Sequence, residues 1–136
     1  MDLEEMNRKV IAEFRENNGE VGDTFDGIPI CLINVLGAKT GISYTKPLAY
    51  LLDGDRYIII ASFAGALHHP PWYQNILANP EFELEAGDEK FRVRAESLSE
   101  PERTEMYDKM VAKIPIFGEY RDKTSRTIPV LALTRV

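Results

Sequence analysis

The sequence predicts an α+β fold in which a small antiparallel β-barrel carries peripheral helices. Three observations support this prediction. Strand-like segments occur as hairpins instead of alternating singly with helices, which argues against a parallel sheet. Two of these hairpins have glycine-containing turns, Asp53-Gly54 and Gly87-Asp88. The chain has 136 residues, 44% of them hydrophobic, which suits one compact domain.

The first unit, residues 1–18, is predicted to be an amphipathic helix of that same domain. Apolar residues recur every three or four positions from Leu3 to Phe14, and charged residues fill the other positions. A glycine-containing linker over 19–29 begins the second unit, the barrel of residues 19–136. The polar face of the helix mixes acidic and basic residues, which favours docking on protein and leaves contact with a membrane surface open.

The central strands follow from apolar runs and turn residues. Ile30–Leu36 is almost continuously apolar, as in a strand that is covered on both faces. Thr45–Leu52 and Arg56–Ser62 flank the first glycine turn and are predicted to pair as a hairpin. Pro47 places the first of these two strands at a sheet edge or at a bulge, because proline lacks an N–H to donate.

Residues 81–95 predict a hairpin with a defined register. Glutamates at three alternating positions lie opposite basic residues when the turn closes at Gly87-Asp88. The expected pairs are Glu85 with Lys90, Glu83 with Arg92, and Glu81 with Arg94. Apolar residues segregate onto the other face, so the charged face is interpreted as solvated and not as a binding site.

Two more helices and a last strand complete the prediction. The first of these helices begins at Pro70-Pro71, where proline is tolerated, and ends at Asn79-Pro80. The second is expected to have a capping box formed by Ser99 and Glu102. The chain then ends in a loop or short helix followed by a strand, over 115–127 and 128–136.

Composition excludes several functional classes. A net charge of -6 argues against general nucleic-acid binding, which needs a clustered basic face. Cys31 is the one cysteine and lies in an apolar run, so neither an intrachain disulfide nor a thiolate metal cluster is expected. His68 and His69 are adjacent and point apart on an extended chain, so no metal site is predicted. The N-terminus does not have the pattern of a signal peptide, and we expect a cytoplasmic protein.

Three motifs could bind a ligand, and each has an ordinary structural alternative. Lys39 and Thr40 lie in the loop Gly37–Gly41, which could bind phosphate or simply join two strands. The small residues of Ala61–Ala66 would let a flat ring approach the main chain, or form a tight turn. Trp72 could border a ligand or pack in the core.

The absence of a side-chain catalytic set points to chemistry supplied by a cofactor. We find no Ser-His-Asp arrangement, paired catalytic carboxylates or activated cysteine in the sequence. Such proteins bind and orient a reactive cofactor instead.

These motifs, in this order, resemble those of the deazaflavin-dependent nitroreductase family of actinobacteria. The resemblance covers roughly residues 14–135, and the matching runs are GAKTG, KPLAYLLDGDRYIIIAS, GALHHPPWYQNILANP and EYRDKTSRTIPVLAL. It implies a split β-barrel fold of the FMN-binding type that binds coenzyme F420.

The resemblance implies hydride transfer from reduced F420 to an electron-poor acceptor such as a quinone or a nitroaromatic. Two alternatives stay open: a carrier that binds a flavin or deazaflavin without turnover, and an FMN-dependent reductase on the same fold. Related split barrels often pair, so a homodimer is also left open.

The resemblance also implies roles for individual residues. Tyr120 is the candidate proton donor, and Lys39, Lys46, Ser62 and Trp72 are expected to form the rim of one cleft that holds the tricyclic cofactor. The cofactor-binding candidates lie on the glycine loop and next strand, at the end of the following strand, at the start of a helix and in the C-terminal segment: Lys39, Thr40, Tyr44, Thr45, Lys46, Pro47, Leu48, Ala61, Ser62, Phe63, Pro71, Trp72, Gln74, Asn75 and Phe117.

The chain departs from the family pattern at four positions. Ala38, Tyr44 and Phe63 stand where basic residues are common, so up to three cationic contacts to a polyanionic tail are absent. Two alternatives follow: a lower affinity for the tail, or substitution by Lys46. Phe117 stands where a tyrosine is usual, which leaves Tyr120 as the candidate donor.

Overall fold

The computed structural model describes residues 3–19 and 28–136, so most of the predicted linker lies outside the described residues. Four α-helices and seven strands are present in these ranges. In chain order they are α1 Leu3–Glu16, β1 Ile30–Leu36, β2 Ser43–Ala49, β3 Leu51–Asp53, β4 Arg56–Ile60, α2 Pro71–Ala78, β5 Glu81–Ala86, β6 Glu89–Ser97, α3 Glu102–Lys113, α4 Ile116–Lys123 and β7 Val130–Arg135. None of the described helices has the length and apolar composition needed to cross a bilayer.

The strands form one antiparallel sheet that curls into a half-barrel. Its strand order is β2-β1-β5-β6-β7-β4-β3. β2 and β3 therefore lie at opposite edges, although only Tyr50 separates them in sequence. The prediction of one continuous strand over Thr45–Leu52 is wrong. The segment forms two strands, of which β2 pairs with β1 and β3 pairs with β4.

Three local predictions about strands are confirmed. β1 has the predicted bounds, and its first four residues are all buried. Pro47 lies in an edge strand. The β5–β6 register matches the prediction at each of the three charged pairs. The sheet is thus fixed by alternation and turn chemistry that are local in the sequence.

The continuous apolar runs occur because both faces of the central strands are covered. In β1, Cys31 and Ile33 belong to the core inside the curled sheet, and Ile30 and Leu32 pack with Phe14 of α1. A third apolar cluster lies beneath α3 and contains Met110.

The predicted solvated face of β5 is wrong for Glu85. Glu85 is 7% exposed. It lies opposite Lys90 in the register, but its carboxylate forms its ion pair with Arg15. It accepts hydrogen bonds from Arg15 of α1, 2.8 Å away, and from Asn34 of β1, 2.9 Å away. Docking of α1 on this part of the sheet covers a position that the hairpin pattern alone leaves in water.

The predicted capping box of α3 is also wrong. The helix begins at Glu102 after Pro101, and no side chain caps it at that position. Glu100 instead accepts hydrogen bonds from the N–H and the hydroxyl of Thr104. The Glu100 side chain thus satisfies a main-chain donor in the first turn of α3.

Candidate active site

A cleft of about 210 Å³ lies where the edge strand β2, the end of β4 and helix α4 meet. Five of the predicted site residues line it: Pro47, Leu48, Ser62, Phe117 and Tyr120. The other lining residues are apolar: Ile28, Ile30, Ala49, Ile60, Ile114 and Ile116. Ser62 and Tyr120 supply the hydroxyl groups among the described lining residues. The cleft therefore suits a flat, largely apolar molecule with a few polar edge atoms.

The main chain after β4 makes an unusual left-handed turn at the cleft. Phe63, Ala64 and Gly65 have φ angles of 47°, 53° and 77°. Left-handed backbone is strained in residues other than glycine and persists where its surroundings enforce it. At Gly65 a Cβ atom would lie 2.9 Å from the carbonyl oxygen of Tyr120, so close packing of this turn on α4 also requires glycine.

Arg126 holds this turn in place. Its guanidinium donates to the carbonyl oxygens of Ala61 at 3.2 Å, Ser62 at 2.5 Å and Ala66 at 2.9 Å. It also lies 2.9 Å from Nδ1 of His69. Arg126 has no local signal in the sequence, because these partners are 57 to 65 residues away and most of them are main-chain atoms, which leave no side-chain pattern.

His69 must accept the Arg126 hydrogen at Nδ1, so its imidazole is neutral in this arrangement. Burial, followed by the charge of Arg126, lowers the pKa of His69. Its ring also packs on Tyr73 at 4.9 Å between centroids. Within the described ranges, no group of three histidine, cysteine, aspartate or glutamate side chains could hold a metal ion.

Helix α4 brings both C-terminal site candidates to the cleft. The rings of Phe117 and Tyr120 pack edge to face with centroids 5.6 Å apart. The Tyr107 hydroxyl of α3 donates to the carbonyl oxygen of Phe117 at 2.7 Å. α4 is thus held against both α3 and the left-handed turn.

The basic residues lie outside the cleft. Lys39 and Thr40 are exposed in the loop between β1 and β2, and Lys46 is half-buried on β2. The Asn75 side-chain oxygen accepts a hydrogen bond from the Ala38 N–H at 2.9 Å, so α2 supports the loop. β2 runs from this loop to the cleft and connects a cationic end to an apolar end.

The α2 candidates are not part of the cleft lining. Trp72 is 7% exposed and belongs to the core inside the sheet together with Ile76. Pro71 and Gln74 are exposed. The four residues predicted to form one rim, Lys39, Lys46, Ser62 and Trp72, do not come together at the cleft. Of these four, only Ser62 is among its lining residues.

The remaining candidates flank these regions. Ala61 is buried, Phe63 is exposed beside His68, and Tyr44 is exposed on β2. Thr45 is half-buried, and its hydroxyl lies 2.6 Å from the side-chain oxygen of Asn34. Asn34 was not predicted as a site residue; its one signal in the sequence is a polar residue inside the apolar run of β1.

Comparison with known proteins identifies the family. Residues 5–135 match the F420H(2)-dependent quinone reductase family. An F420H(2)-dependent quinone reductase of Mycobacterium tuberculosis H37Rv is 36% identical over 128 residues, which cover 91% of this chain and 86% of that protein. A second one from the same strain, described as putative, is 31% identical over 106 residues, which cover 78% of this chain and 89% of that protein.

Solved structures give the same answer. An F420-H2 dependent reductase has 35% sequence identity and a TM-score of 0.71 over 77% of this chain and 93% of that chain. A haem storage protein of Vibrio cholerae, at 13% identity and a TM-score of 0.61, shares the fold alone. The predicted split β-barrel and the resemblance to F420-dependent reductases are thus confirmed, and the chain belongs to the F420H(2)-dependent quinone reductase family.

Proposed function

We propose that this protein reduces a quinone with F420H2 as the hydride source. The observation that carries the proposal is an apolar cleft whose described hydroxyl groups come from Ser62 and Tyr120. The cleft lies on a chain that belongs to the F420H(2)-dependent quinone reductase family. Apolar walls suit both a deazaflavin ring and a quinone, and the few hydroxyls can orient them.

The residues present fit the cofactor in two parts. Pro47, Leu48 and Ser62 would hold the ring at the cleft, and Lys39 with Thr40 would hold the phosphate-bearing tail at the other end of β2. Charge-assisted hydrogen bonds from a lysine are strong enough to fix such a tail on an exposed loop. When bound, the reduced cofactor supplies a hydride that the side chains lack.

Tyr120 is proposed as the proton donor. Reduction of a quinone to a hydroquinone takes up two electrons with a hydride and also needs a proton on oxygen. The Tyr120 hydroxyl is the phenolic O–H at the cleft, and its ring is held against Phe117. The role of the protein is then to orient the two reactants, exclude water and deliver that proton.

Nitroaromatic compounds are proposed as further acceptors, because they are flat and electron-poor like quinones.

We also propose that the protein touches a membrane, from which a lipid-soluble quinone would enter. The support is exposed apolar side chains near the cleft, with Leu67 82% and Ile116 42% exposed. Co-sedimentation with phospholipid vesicles, lost in Leu67→Ser, would support this contact, and no binding of the unaltered protein would overturn it.

We propose a homodimer as the working assembly. The support is a solved structure described as a domain-swapped dimer, which has 29% identity and a TM-score of 0.74 over 93% of this chain. Sedimentation velocity should give twice the monomer mass, and a single species of monomer mass across micromolar concentrations would contradict this.

The decisive experiment follows oxidation of F420H2 by menadione in a stopped-flow spectrometer. We expect cofactor absorbance to return at a rate proportional to enzyme, and Tyr120→Phe to slow turnover by roughly 100- to 10,000-fold, the usual range of general acid catalysis. A titration with FMN in parallel tests the alternative cofactor. Unchanged absorbance with quinones and nitro compounds alike would reject the proposal.

A further inference from the structure

A chain of four polar side chains connects helix α1 to the edge strand of the site. Arg15 contacts Glu85 through Nε at 3.2 Å and Nη2 at 2.8 Å. Glu85 accepts from the Asn34 amide nitrogen at 2.9 Å. The Asn34 amide oxygen lies 2.6 Å from the Thr45 hydroxyl. The contacts join α1, β5, β1 and β2 at a place where the carboxylate is almost fully buried.

The charge at one end fixes the hydrogen-bond directions along this chain. Glu85 is held ionised: burial by itself would raise the pKa of Glu85, but the hydrogen bonds from Arg15 and Asn34 outweigh burial and lower it. An ionised carboxylate only accepts, so Asn34 must present its amide nitrogen to Glu85. The Asn34 oxygen then faces Thr45, and the Thr45 hydroxyl must donate its one hydrogen to that oxygen.

Thr45 is thereby left with lone pairs and no free hydrogen. It lies two residues before Pro47 on β2, so both side chains project from the same face of the strand. Pro47 lines the cleft. A ligand that runs from the cleft along β2 would therefore meet an acceptor at Thr45 and not a donor.

We propose that Arg15, Glu85 and Asn34 are positioning residues that make Thr45 a selective acceptor for a hydroxyl or N–H group of the bound cofactor. This inference rests on the proposed binding of F420 along β2. It assigns Thr45 to the neutral, hydroxyl-bearing part of the cofactor. The phosphate carries only acceptor oxygens and would instead require donors such as Lys39.

The neighbouring charges do not replace this arrangement. Lys90 contacts Glu83 at 3.4 Å, on the same face of β5 as Glu85. Arg94 pairs with Glu81 further along the same strand, at 2.8 Å. Glu81 and Glu85 are four residues apart in one strand and share a face, and of these two carboxylates it is Glu85 that accepts a hydrogen bond from Asn34. Glu81→Gln is therefore a matched control for Glu85→Gln.

The test measures dissociation constants of two probes, F420 and its phosphate-free deazaflavin riboside, by fluorescence quenching. We expect Thr45→Val to weaken both probes about 5-fold, as for loss of one neutral hydrogen bond. Glu85→Gln should weaken both by a similar factor, because the Asn34 amide nitrogen then loses its ionised acceptor and keeps only the longer hydrogen bond, at 3.4 Å, to the main-chain carbonyl oxygen of Glu83. Thr45→Ser should rescue binding of both probes, because it keeps the hydroxyl. Glu81→Gln should bind both probes like the unaltered protein and keep kcat at saturating F420H2 within 2-fold.

Three results would overturn the inference. A loss with F420 but not with the riboside would assign Thr45 to the phosphate. Unchanged affinity in a folded Glu85→Gln variant would remove the positioning role. If Glu85→Gln does not fold, wild-type affinity of Thr45→Val for both probes is sufficient to reject the proposal. Failure of the unaltered protein to bind either probe would instead reject the proposed function, so the two failures are distinguishable.

Discussion

The hydroxyl of Tyr107 donates to the main-chain carbonyl oxygen of Phe117 across 2.7 Å, and the Tyr107 side chain is fully buried. This bond joins α3 to the first turn of α4. It satisfies a carbonyl inside the protein and at the same time fixes the helix that carries Tyr120. Stability and the geometry of the site are therefore coupled at this contact.

Tyr107→Phe should destabilise the protein and weaken turnover together. Leaving the Phe117 carbonyl without its partner should lower the free energy of unfolding by about 1–3 kcal/mol. Urea denaturation followed by quinone reduction at a temperature where the variant is folded measures both effects. Tyr57→Phe is the control, since the Tyr57 ring packs on Tyr50 and Phe91 away from α4. Equal losses in the two variants would contradict this role of the Tyr107 hydroxyl.

Arg126→Lys should weaken F420 binding even though the charge is kept. The planar guanidinium reaches three carbonyl oxygens and His69, and an ammonium group cannot match that geometry. We expect a rise of about tenfold in the dissociation constant of F420, measured by fluorescence quenching, as the turn at Ser62 loosens. Arg94→Lys, in an exposed ion pair with Glu81, should have no effect. Unaltered F420 binding in Arg126→Lys would show that the left-handed turn keeps its conformation without the Arg126 guanidinium.

The free energy of unfolding should decrease at acidic pH because of His69. The pKa of His69 is lowered in the folded protein, by burial first and then by Arg126. The unfolded chain takes up this proton from about pH 6.5 downward, whereas the folded protein takes it up only at lower pH. The free energy of unfolding therefore decreases as the pH falls below that value, and the His69 contribution is intact above it.

Urea midpoints at pH 7.5 and pH 5.5 measure this effect. The loss between the two pH values should be smaller in His69→Gln than in the unaltered protein. His68→Gln is the control, because the His68 ring packs on Phe63. Identical pH dependence in all three proteins would show that protonation of His69 is not linked to folding.

Ala38→Arg should tighten F420 binding by placing the basic residue usual in the family in the loop Gly37–Gly41, which is proposed to hold the phosphate-bearing tail. The Ala38 N–H is held by Asn75, and its side chain is exposed, so an arginine fits without repacking. One added charge-assisted contact is worth about 1.5–3 kcal/mol, or roughly a 10- to 100-fold lower dissociation constant. Ala112→Arg, at an exposed position of α3, controls for net charge. An equal gain in both variants would mean that the loop does not contact the tail, and raised salt should abolish a specific gain.

The parts of this protein that sequence predicts well are those whose partners are close along the chain. The β5–β6 register follows from Gly87-Asp88 and from alternating charges within fifteen residues. β1 follows from its apolar run, and α2 from Pro70-Pro71. In each case the physical cause, a turn or a periodicity, is contained in the segment itself.

The parts that sequence missed depend on distant contacts. Glu85 looked solvated because nothing in its hairpin indicates that Arg15 docks 70 residues away. Arg126 binds main-chain oxygens, which every residue has. Trp72 had two interpretations, and its burial was decided by the curl of the whole sheet. The sequence marked Ser62 within the small-residue segment Ala61–Ala66, but the individual roles of Ser62 and Tyr120 came from family resemblance, since neither belongs to a local catalytic pattern.

The passage of the chain through Tyr50 has a consequence for how such an enzyme can adapt to new substrates. The Tyr50 N–H is bonded to Pro29, and one residue carries the backbone from one margin of the sheet to the other. Moving the two sheet edges apart would break hydrogen bonds of β2 with β1 and of β3 with β4 at the same time. We therefore expect acceptors of different size to be accommodated by changes of the cleft-lining side chains on α4, with the strands unchanged.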